Sequence, residues 1–209
     1  MTRIYITRHG ETEWNKQRRF QGSKNSELTD KGILGAELLA ARIEDIELDC
    51  IISSPLKRAY HTASIVKGNK NVEIIKCDGL KEINLGDFEG MSWDEIHEKS
   101  PEAISKITAD PFTNRYPNGE NLNEFYNRVE KAFLEVIEKC RNKRVLIVAH
   151  GGTIKCIESY IRKFKINEDW IGNVVQNCSL SCYDITDDNE IKELFFNDIE
   201  HLKGKLAFN

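Results

Sequence analysis

The chain has 209 residues, of which 40% are hydrophobic and 31% charged, as is typical of a folded globular protein. Its formal net charge of −4 does not attract nucleic acid or anionic lipid at long range, so binding of an anion requires a local pocket. No run approaches the roughly 20 apolar residues that span a bilayer, and no signal sequence is evident. We therefore expect one domain over residues 1–209, without a nucleic-acid or membrane partner.

Short apolar runs predict the strands of this domain. The runs are found at residues 4–7, 50–53, 72–75 and 145–149. Near the end of the chain, residues 179–185 and 191–196 predict the two arms of a hairpin, which turns at residues 187–189.

Between these predicted strands, apolar residues recur at the spacing of a helix. Thr29 and Asp30 begin one predicted helix, with Leu34, Leu38 and Ala41 as its buried face. Further helices are predicted with Pro55 in the first turn, over residues 121–140 and over residues 153–161.

The alternation of strands and helices predicts an α/β fold, in which a mainly parallel sheet carries helices on both faces. Residues 86–119 interrupt this alternation with short amphipathic pieces and three prolines. We expect this segment to form a small cap over the carboxyl ends of the strands.

Basic and imidazole side chains follow three of the predicted strands. Arg8 and His9 come after the first, Arg58 soon after the second, and His150 directly after the run at 145–149. Because the carboxyl ends of parallel strands meet at one edge, these side chains are expected to surround one crevice. Arginine forks match phosphate oxygens in pairs, and a neutral imidazole can accept a phosphoryl group. The pattern indicates a phosphate site with His9 as the nucleophile, and Gly151 allows close backbone approach.

When a phosphoryl group is transferred from an ester to His9, the alkoxide that leaves also needs a proton. Glu82 follows the strand predicted at 72–75 and can reach the same crevice, so we take it as the candidate acid. Spacing alone leaves Asp87 and Glu89 as alternatives.

The six cysteines include no CxxC pair. We expect buried, reduced thiols and hence a cytoplasmic protein. Cys178 and Cys182 lie four residues apart and are expected to share one face of a strand, without forming a metal site.

The segment Thr7-Arg8-His9-Gly10-Glu11-Thr12-Glu13-Trp14-Asn15 resembles the signature of the histidine phosphatase superfamily, also called phosphoglycerate-mutase-like. The resemblance continues in the expected order through residues 19–22, 28–32, 53–59, 82–90 and 148–152.

The resemblance implies that His9 is phosphorylated, that Glu82 donates the proton, and that no metal or other cofactor is needed. It implies a phosphate site formed by Arg8, Arg58, His150 and Asn15. Arg19, Gln21, Gly22 and Gly151 are the further candidates for binding substrate.

The expected function is hydrolysis of a small phosphorylated metabolite. Residues 19–22 resemble those of small bacterial phosphatases, which include α-ribazole-phosphate phosphatase, broad-specificity phosphatases and metal-independent phosphoserine phosphatases. Mutases of the family carry a longer insertion between the acid and the second histidine, whereas Glu82 and His150 are only 68 positions apart.

Two alternatives are a cofactor-dependent phosphoglycerate mutase and a non-catalytic module that binds phosphorylated ligands. Residues 117–121 and Phe88 depart from the family pattern, which leaves the substrate open. A homodimer is expected only as the commonest oligomer in general.

Overall fold

The computed structural model describes residues 1–163 and 175–206. The strands of this part are β1 (Thr2–Arg8), β2 (Cys50–Ser53), β3 (Glu73–Lys76), β4 (Arg144–Ala149), β5 (Leu180–Ile185) and β6 (Ile191–Asp198). They form one sheet in the order β3-β2-β4-β1-β5-β6. The first four are parallel, and β5 and β6 are antiparallel additions at one side. The mainly parallel sheet and the hairpin are both as predicted.

Seven α-helices lie in the described ranges: α1 (Glu13–Lys16), α2 (Asp30–Arg42), α3 (Lys57–Lys67), α4 (Trp93–Lys99), α5 (Pro101–Ala109), α6 (Leu122–Lys139) and α7 (Gly151–Arg162). Two short 3-10 helices span Asp78–Leu80 and Gly86–Phe88. Two helix starts differ from the prediction by two residues. Helix α3 begins after Pro55 rather than at it, and α7 begins at Gly151 rather than at Thr153. Helix ends are the least sharply defined part of a helix, which accounts for shifts of this size.

Helices cover both faces of the sheet, as the α/β prediction requires. Successive residues of a strand point to opposite faces. Ile4 and Ile6 of β1 accordingly belong to one apolar cluster with Phe133 of α6, whereas Tyr5 belongs to a second cluster with Leu39 of α2. Helices α4 to α7 contribute to the first cluster and α2 and α3 to the second. Two buried layers therefore hold the strands, and the strand ends, in fixed positions.

Helix α6 agrees with its predicted pattern, because its apolar face lies in the core. Asn121 caps the helix and exchanges hydrogen bonds with Glu124 in a capping box. The buried residues of this helix include all of the predicted ones: Leu122, Phe125, Val129, Ala132, Phe133 and Val136, with Cys140 buried just after its end.

The predicted buried face of α2 is wrong. Leu34 is 39% exposed and Ala41 is exposed, while Leu38 is half-buried. The face that packs inward instead consists of Gly32, Gly35, Ala36 and Leu39. Small residues let the helix approach its neighbours closely. The prediction missed this face because it was based on the spacing of the leucines, and glycine and alanine contribute little to such a pattern.

The segment at 86–119 contains α4 and α5, and the residues Ile96, Ile104 and Ile107 pack into the first apolar cluster. Backbone hydrogen bonds join it to the loop after β1, because Phe20 N donates to Met91 O and Gly90 N donates to Phe20 O. Its role as a cap, like the organisation of 1–209 as one domain, stays a prediction. No helix in the described ranges is long and apolar enough to cross a membrane.

Candidate active site

The two histidines meet because β1 and β4 are adjacent and parallel. Arg8 pairs with Ala149 in the register of the two strands, so the residue after each strand reaches the same level. His9 N donates to Ala149 O at 3.0 Å, and the imidazole ring centroids of His9 and His150 lie 5.2 Å apart. Strand β2 lies on the other side of β4 and leads into α3, whose first turn carries Arg58. The sheet edge thus gathers side chains that are far apart in sequence.

The imidazole of His9 is buried and held in one tautomer. Its Nδ1 lies 2.7 Å from Gly10 O, which can only accept, so Nδ1 carries the hydrogen. Its Nε2 accepts from Arg58 Nε at 3.3 Å and therefore keeps its lone pair. Burial, with the charges of Arg58 and Arg8, lowers the pKa of His9 well below its usual value of 6.5. A neutral imidazole whose Nε2 carries no hydrogen can act as a nucleophile.

Two guanidiniums flank this imidazole without pairing to a carboxylate in the described residues. Arg58 is buried and donates to the carbonyls of Gly22 at 2.7 Å and Lys24 at 2.6 Å. Burial lowers the pKa of Arg58 to about 10. Arg8 is half-buried and donates to Val175 O at 2.7 Å, while its Nε has no described partner. Cations withdrawn from water without a counter-ion are stabilised by an incoming anion.

His150 is completely buried, with Nε2 hydrogen-bonded to Ser54 Oγ at 2.7 Å. Its Nδ1 has no partner among the residues that the structure describes. Burial, followed by the charge of Arg58, lowers the pKa of His150 well below 6.5. The side chain is therefore a neutral hydrogen-bonding group beside His9 rather than a third cation.

The structure distinguishes the three carboxylates that spacing left open. Glu82 lines the cavity that also contains His9, and its carboxylate accepts from Gly152 N at 3.0 Å and from Ile83 N at 3.1 Å. Asp87 is exposed and accepts from an amide outside the cavity. Glu89 is buried, and its Oε1 accepts backbone N–H groups that close the neighbouring loops. Of the three, Glu82 alone lines the cavity that contains His9.

Most of the predicted site residues line one cavity of about 250 Å³. Its walls are formed by Arg8, His9, Asn15, Arg19, Phe20, Gln21, Gly22, Arg58, Glu82, Ile83, Leu85, Tyr116 and Gly152. His150 and Gly151 were predicted for the site and lie next to this cavity without lining it.

Gly152 is the glycine that lies against the Glu82 carboxylate, although the sequence pattern favoured Gly151. A Cβ on Gly152 would lie 2.5 Å from Glu82 Oε1, whereas a Cβ on Gly151 would meet Arg8 Nε at an ordinary 3.5 Å. The two adjacent glycines were the available signal, but sequence alone does not show which one faces the carboxylate.

The polar side chains at the cavity rim differ in what they can still bind. Asn15 uses Oδ1 to accept from Thr12, which leaves its amide NH2 as the group able to meet an anion. Arg19 donates to Glu95 Oε2 and Gly90 O, both at 2.6 Å, so its guanidinium is already engaged. Gln21 is 8% exposed, and its Oε1 has no described partner.

All six cysteines are unpaired, and Cys178 and Cys182 lie in the same apolar cluster, on one face of the sheet. Within residues 1–163 and 175–206, no three His, Cys, Asp or Glu side chains are grouped so as to hold a metal ion.

Comparisons with known proteins agree with this arrangement. The model of the histidine phosphatase superfamily (branch 1) matches residues 4–198. Phosphoserine phosphatase 1 of Hydrogenobacter thermophilus is 36% identical over 171 residues, which cover 81% of each chain. The probable phosphoglycerate mutase GpmB of Escherichia coli O1:K1 is 35% identical over 165 residues, 77% of this chain and 75% of that one.

The fold is also found among solved structures. The α-ribazole phosphatase from Shigella flexneri superposes with a TM-score of 0.88 at 26% identity, covering 94% of this chain and 96% of that one. The resemblance of the sequence to this family, and to its small phosphatases, is confirmed. The chain is a phosphatase and belongs to branch 1 of the histidine phosphatase superfamily.

Proposed function

We propose that the chain is a metal-independent phosphomonoesterase that hydrolyses a small phosphorylated metabolite through a phosphohistidine on His9. The observation that carries this proposal is the neutral imidazole of His9, with Nε2 directed toward Arg58 at 3.3 Å. Its lone pair can attack phosphorus, and the flanking guanidiniums of Arg8 and Arg58 match the charge of the phosphoryl oxygens.

In the first half-reaction, His9 Nε2 forms a bond to phosphorus while the ester P–O bond breaks. Glu82 transfers a proton to the leaving oxygen, so the product is a neutral alcohol. Arg8, Arg58 and the neighbouring His150 hold the phosphoryl oxygens, on which the charge of the transition state is spread. The position of Glu82 in the wall of the cavity that contains His9 supports its role as proton donor.

In the second half-reaction, water attacks phosphorus and the N–P bond breaks. The Glu82 carboxylate accepts the proton that water loses, and inorganic phosphate leaves. Both His9 and Glu82 return to their starting states, so the cycle consumes one ester and one water and needs no further reactant.

A second candidate is a phosphoglycerate mutase, which the similarity to GpmB favours. In that reaction phospho-His9 returns its phosphoryl group to another hydroxyl of the substrate instead of to water. The chemistry at His9 is the same, so the acceptor of the phosphoryl group is what an experiment must identify.

The test is a panel of esters assayed in EDTA for free phosphate and for product isomers. The panel contains p-nitrophenyl phosphate, phosphoserine, α-ribazole phosphate, and 3-phosphoglycerate with its bisphosphate primer. Phosphate release supports the phosphatase, whereas rapid formation of 2-phosphoglycerate with little phosphate supports the mutase. Binding of vanadate without any turnover would instead indicate a non-catalytic module.

The mechanism is tested with a matched pair of histidine variants. His9→Ala is expected to lower turnover by at least about 10³-fold. His61→Ala changes an exposed histidine of α3 and is expected to match the wild type. Full activity of His9→Ala would refute the phosphohistidine mechanism.

A cytoplasmic location belongs to the same proposal. It is supported by the six unpaired cysteines, five of them buried, because proteins of oxidising compartments tend to pair their cysteines.

A further inference from the structure

The cavity is lined by chemically different groups. Arg8, His9 and Arg58 line it, as described above. Phe20, Ile83, Leu85 and Tyr116 line the same cavity and add apolar and aromatic surface. Ile83 is 5% and Leu85 6% exposed, so both are fixed by the core. A phosphate held by the cations would place its ester group in a cavity that these aliphatic and aromatic side chains also line.

Charged groups that could recognise an ammonium or a carboxylate on the ester group are already engaged. Arg19 is bonded to Glu95 and to a backbone carbonyl. Glu120, behind the cavity wall, is paired with Arg128 at 2.8 Å. Gln21 adds one neutral acceptor, Oε1, which cannot balance a charge. Arg8, Arg58 and Glu82 are used by the phosphoryl group and the leaving oxygen in the proposed reaction, so a zwitterionic ester group would lose its hydration here without gaining a further charged partner.

The apolar surface continues outward from the cavity. The ring of Phe20 lies 6.0 Å from that of Trp93, and Trp93 lies 4.5 Å from the ring of His97, measured between centroids. Trp93 is 48% exposed. An exposed large aromatic side chain beside a catalytic cavity offers contact area for an ester group that extends beyond it.

We propose that these apolar lining residues select phosphate monoesters of apolar or aromatic alcohols over esters of small charged alcohols such as phosphoserine. The proposal rests on the phosphatase activity proposed above and specifies its substrate class. Phe20 and Tyr116 are the residues assigned to this selection.

The test compares ethyl, butyl and hexyl phosphate with 2-phenylethyl phosphate and phosphoserine. The alkyl esters release similar alkoxides, so differences in kcat/KM among them report binding of the chain rather than leaving-group chemistry. We expect kcat/KM to rise by about 4-fold for each methylene that becomes buried, until the surface is filled. Phosphoserine is expected to fall at least about 10-fold below butyl phosphate.

Variants locate the effect. Phe20→Ala and Tyr116→Ala are each expected to lower the hexyl-to-ethyl ratio of kcat/KM by about 10-fold. Leu194→Ala, which shortens a partly exposed leucine of β6 outside the cavity, is expected to leave the ratio unchanged.

The outcomes separate this proposal from the one on which it rests. Hydrolysis that prefers phosphoserine, or that does not vary with chain length, would overturn the selection and leave the phosphatase mechanism in place. A failure to release phosphate from any ester, p-nitrophenyl phosphate included, would overturn both. Variants that keep the wild-type hexyl-to-ethyl ratio would refute the assignment to Phe20 and Tyr116.

Discussion

Replacement of Gly152 by alanine tests whether the position of the Glu82 carboxylate controls proton donation. The new Cβ would lie 2.5 Å from Glu82 Oε1, which is 0.9 Å closer than the 3.4 Å at which ordinary contacts begin. The carboxylate ends a flexible side chain and must move away, whereas the backbone need not. A misplacement of about 1 Å can cost about 10²-fold in rate.

The loss of kcat/KM in Gly152→Ala should depend on the leaving group of the ester. An alkoxide needs a proton in the transition state, whereas p-nitrophenolate is a stable anion that can leave without one. We therefore expect Gly152→Ala to lower kcat/KM for ethyl phosphate by about 10²-fold and for p-nitrophenyl phosphate by only a few-fold. Glu82→Gln serves as the reference and should show the same selectivity in stronger form.

The melting temperature provides the control on folding. Alanine is more favourable than glycine in a helix, which offsets part of the crowding from a Cβ that would also lie 3.2 Å from Cε1 of the buried Phe125. The melting temperature of Gly152→Ala should therefore stay within about 4 °C of the wild type. Unchanged hydrolysis of ethyl phosphate by Gly152→Ala, with Glu82→Gln impaired, would refute the argument from carboxylate position. Equal losses on both esters together with a lower melting temperature would also refute it.

Three further predictions concern titration and backbone strain. Arg58→Gln removes a charge that lowers the pKa of His9, so an NMR titration of its imidazole should show a higher midpoint than in the wild type; an unchanged midpoint would contradict this. Burial raises the pKa of Glu158 to about 7 from 4.5, so the folded state retains a proton that the unfolded state loses. The free energy of unfolding should therefore fall by up to about 3 kcal/mol as pH rises through this window, and urea titrations of Glu158→Gln should lack that component. Gly86 has a φ of +54°, and a Cβ there would lie 1.9 Å from Pro117 O, so Gly86→Ala should cost more than about 1 kcal/mol. Calorimetry of Gly86→Ala should then show a melting temperature lower by at least about 2 °C. An unchanged melting temperature would contradict the argument that alanine is strained at position 86.

Local sequence patterns were sufficient to predict the strands whose ends form the site and the buried face of α6. The apolar runs of β1 and β4 predict buried parallel strands, and parallel pairing places the residues after them side by side. For this reason the chain's own pattern predicts that His9 and His150 lie together, as they do. The apolar spacing of α6 likewise identified its buried face, because the large side chains of that helix are the ones that enter the core.

Other features depend on segments that are distant along the chain. Helix α2 buries Gly35 and Ala36 rather than Leu34, because its neighbours approach closely enough to need small residues there. The choice of Glu82 over Asp87 likewise follows from the path of its loop past the first turn of α7.

The sequence by itself therefore determined the sheet, its helices and the cations and histidines at the strand ends, since hydropathy records which local face is buried. The tertiary structure decided which carboxylate lines the cavity with His9, which glycine lies against that carboxylate and which apolar side chains line the same cavity. Those contacts join residues that share no local periodicity, so only the packing of the folded chain specifies them.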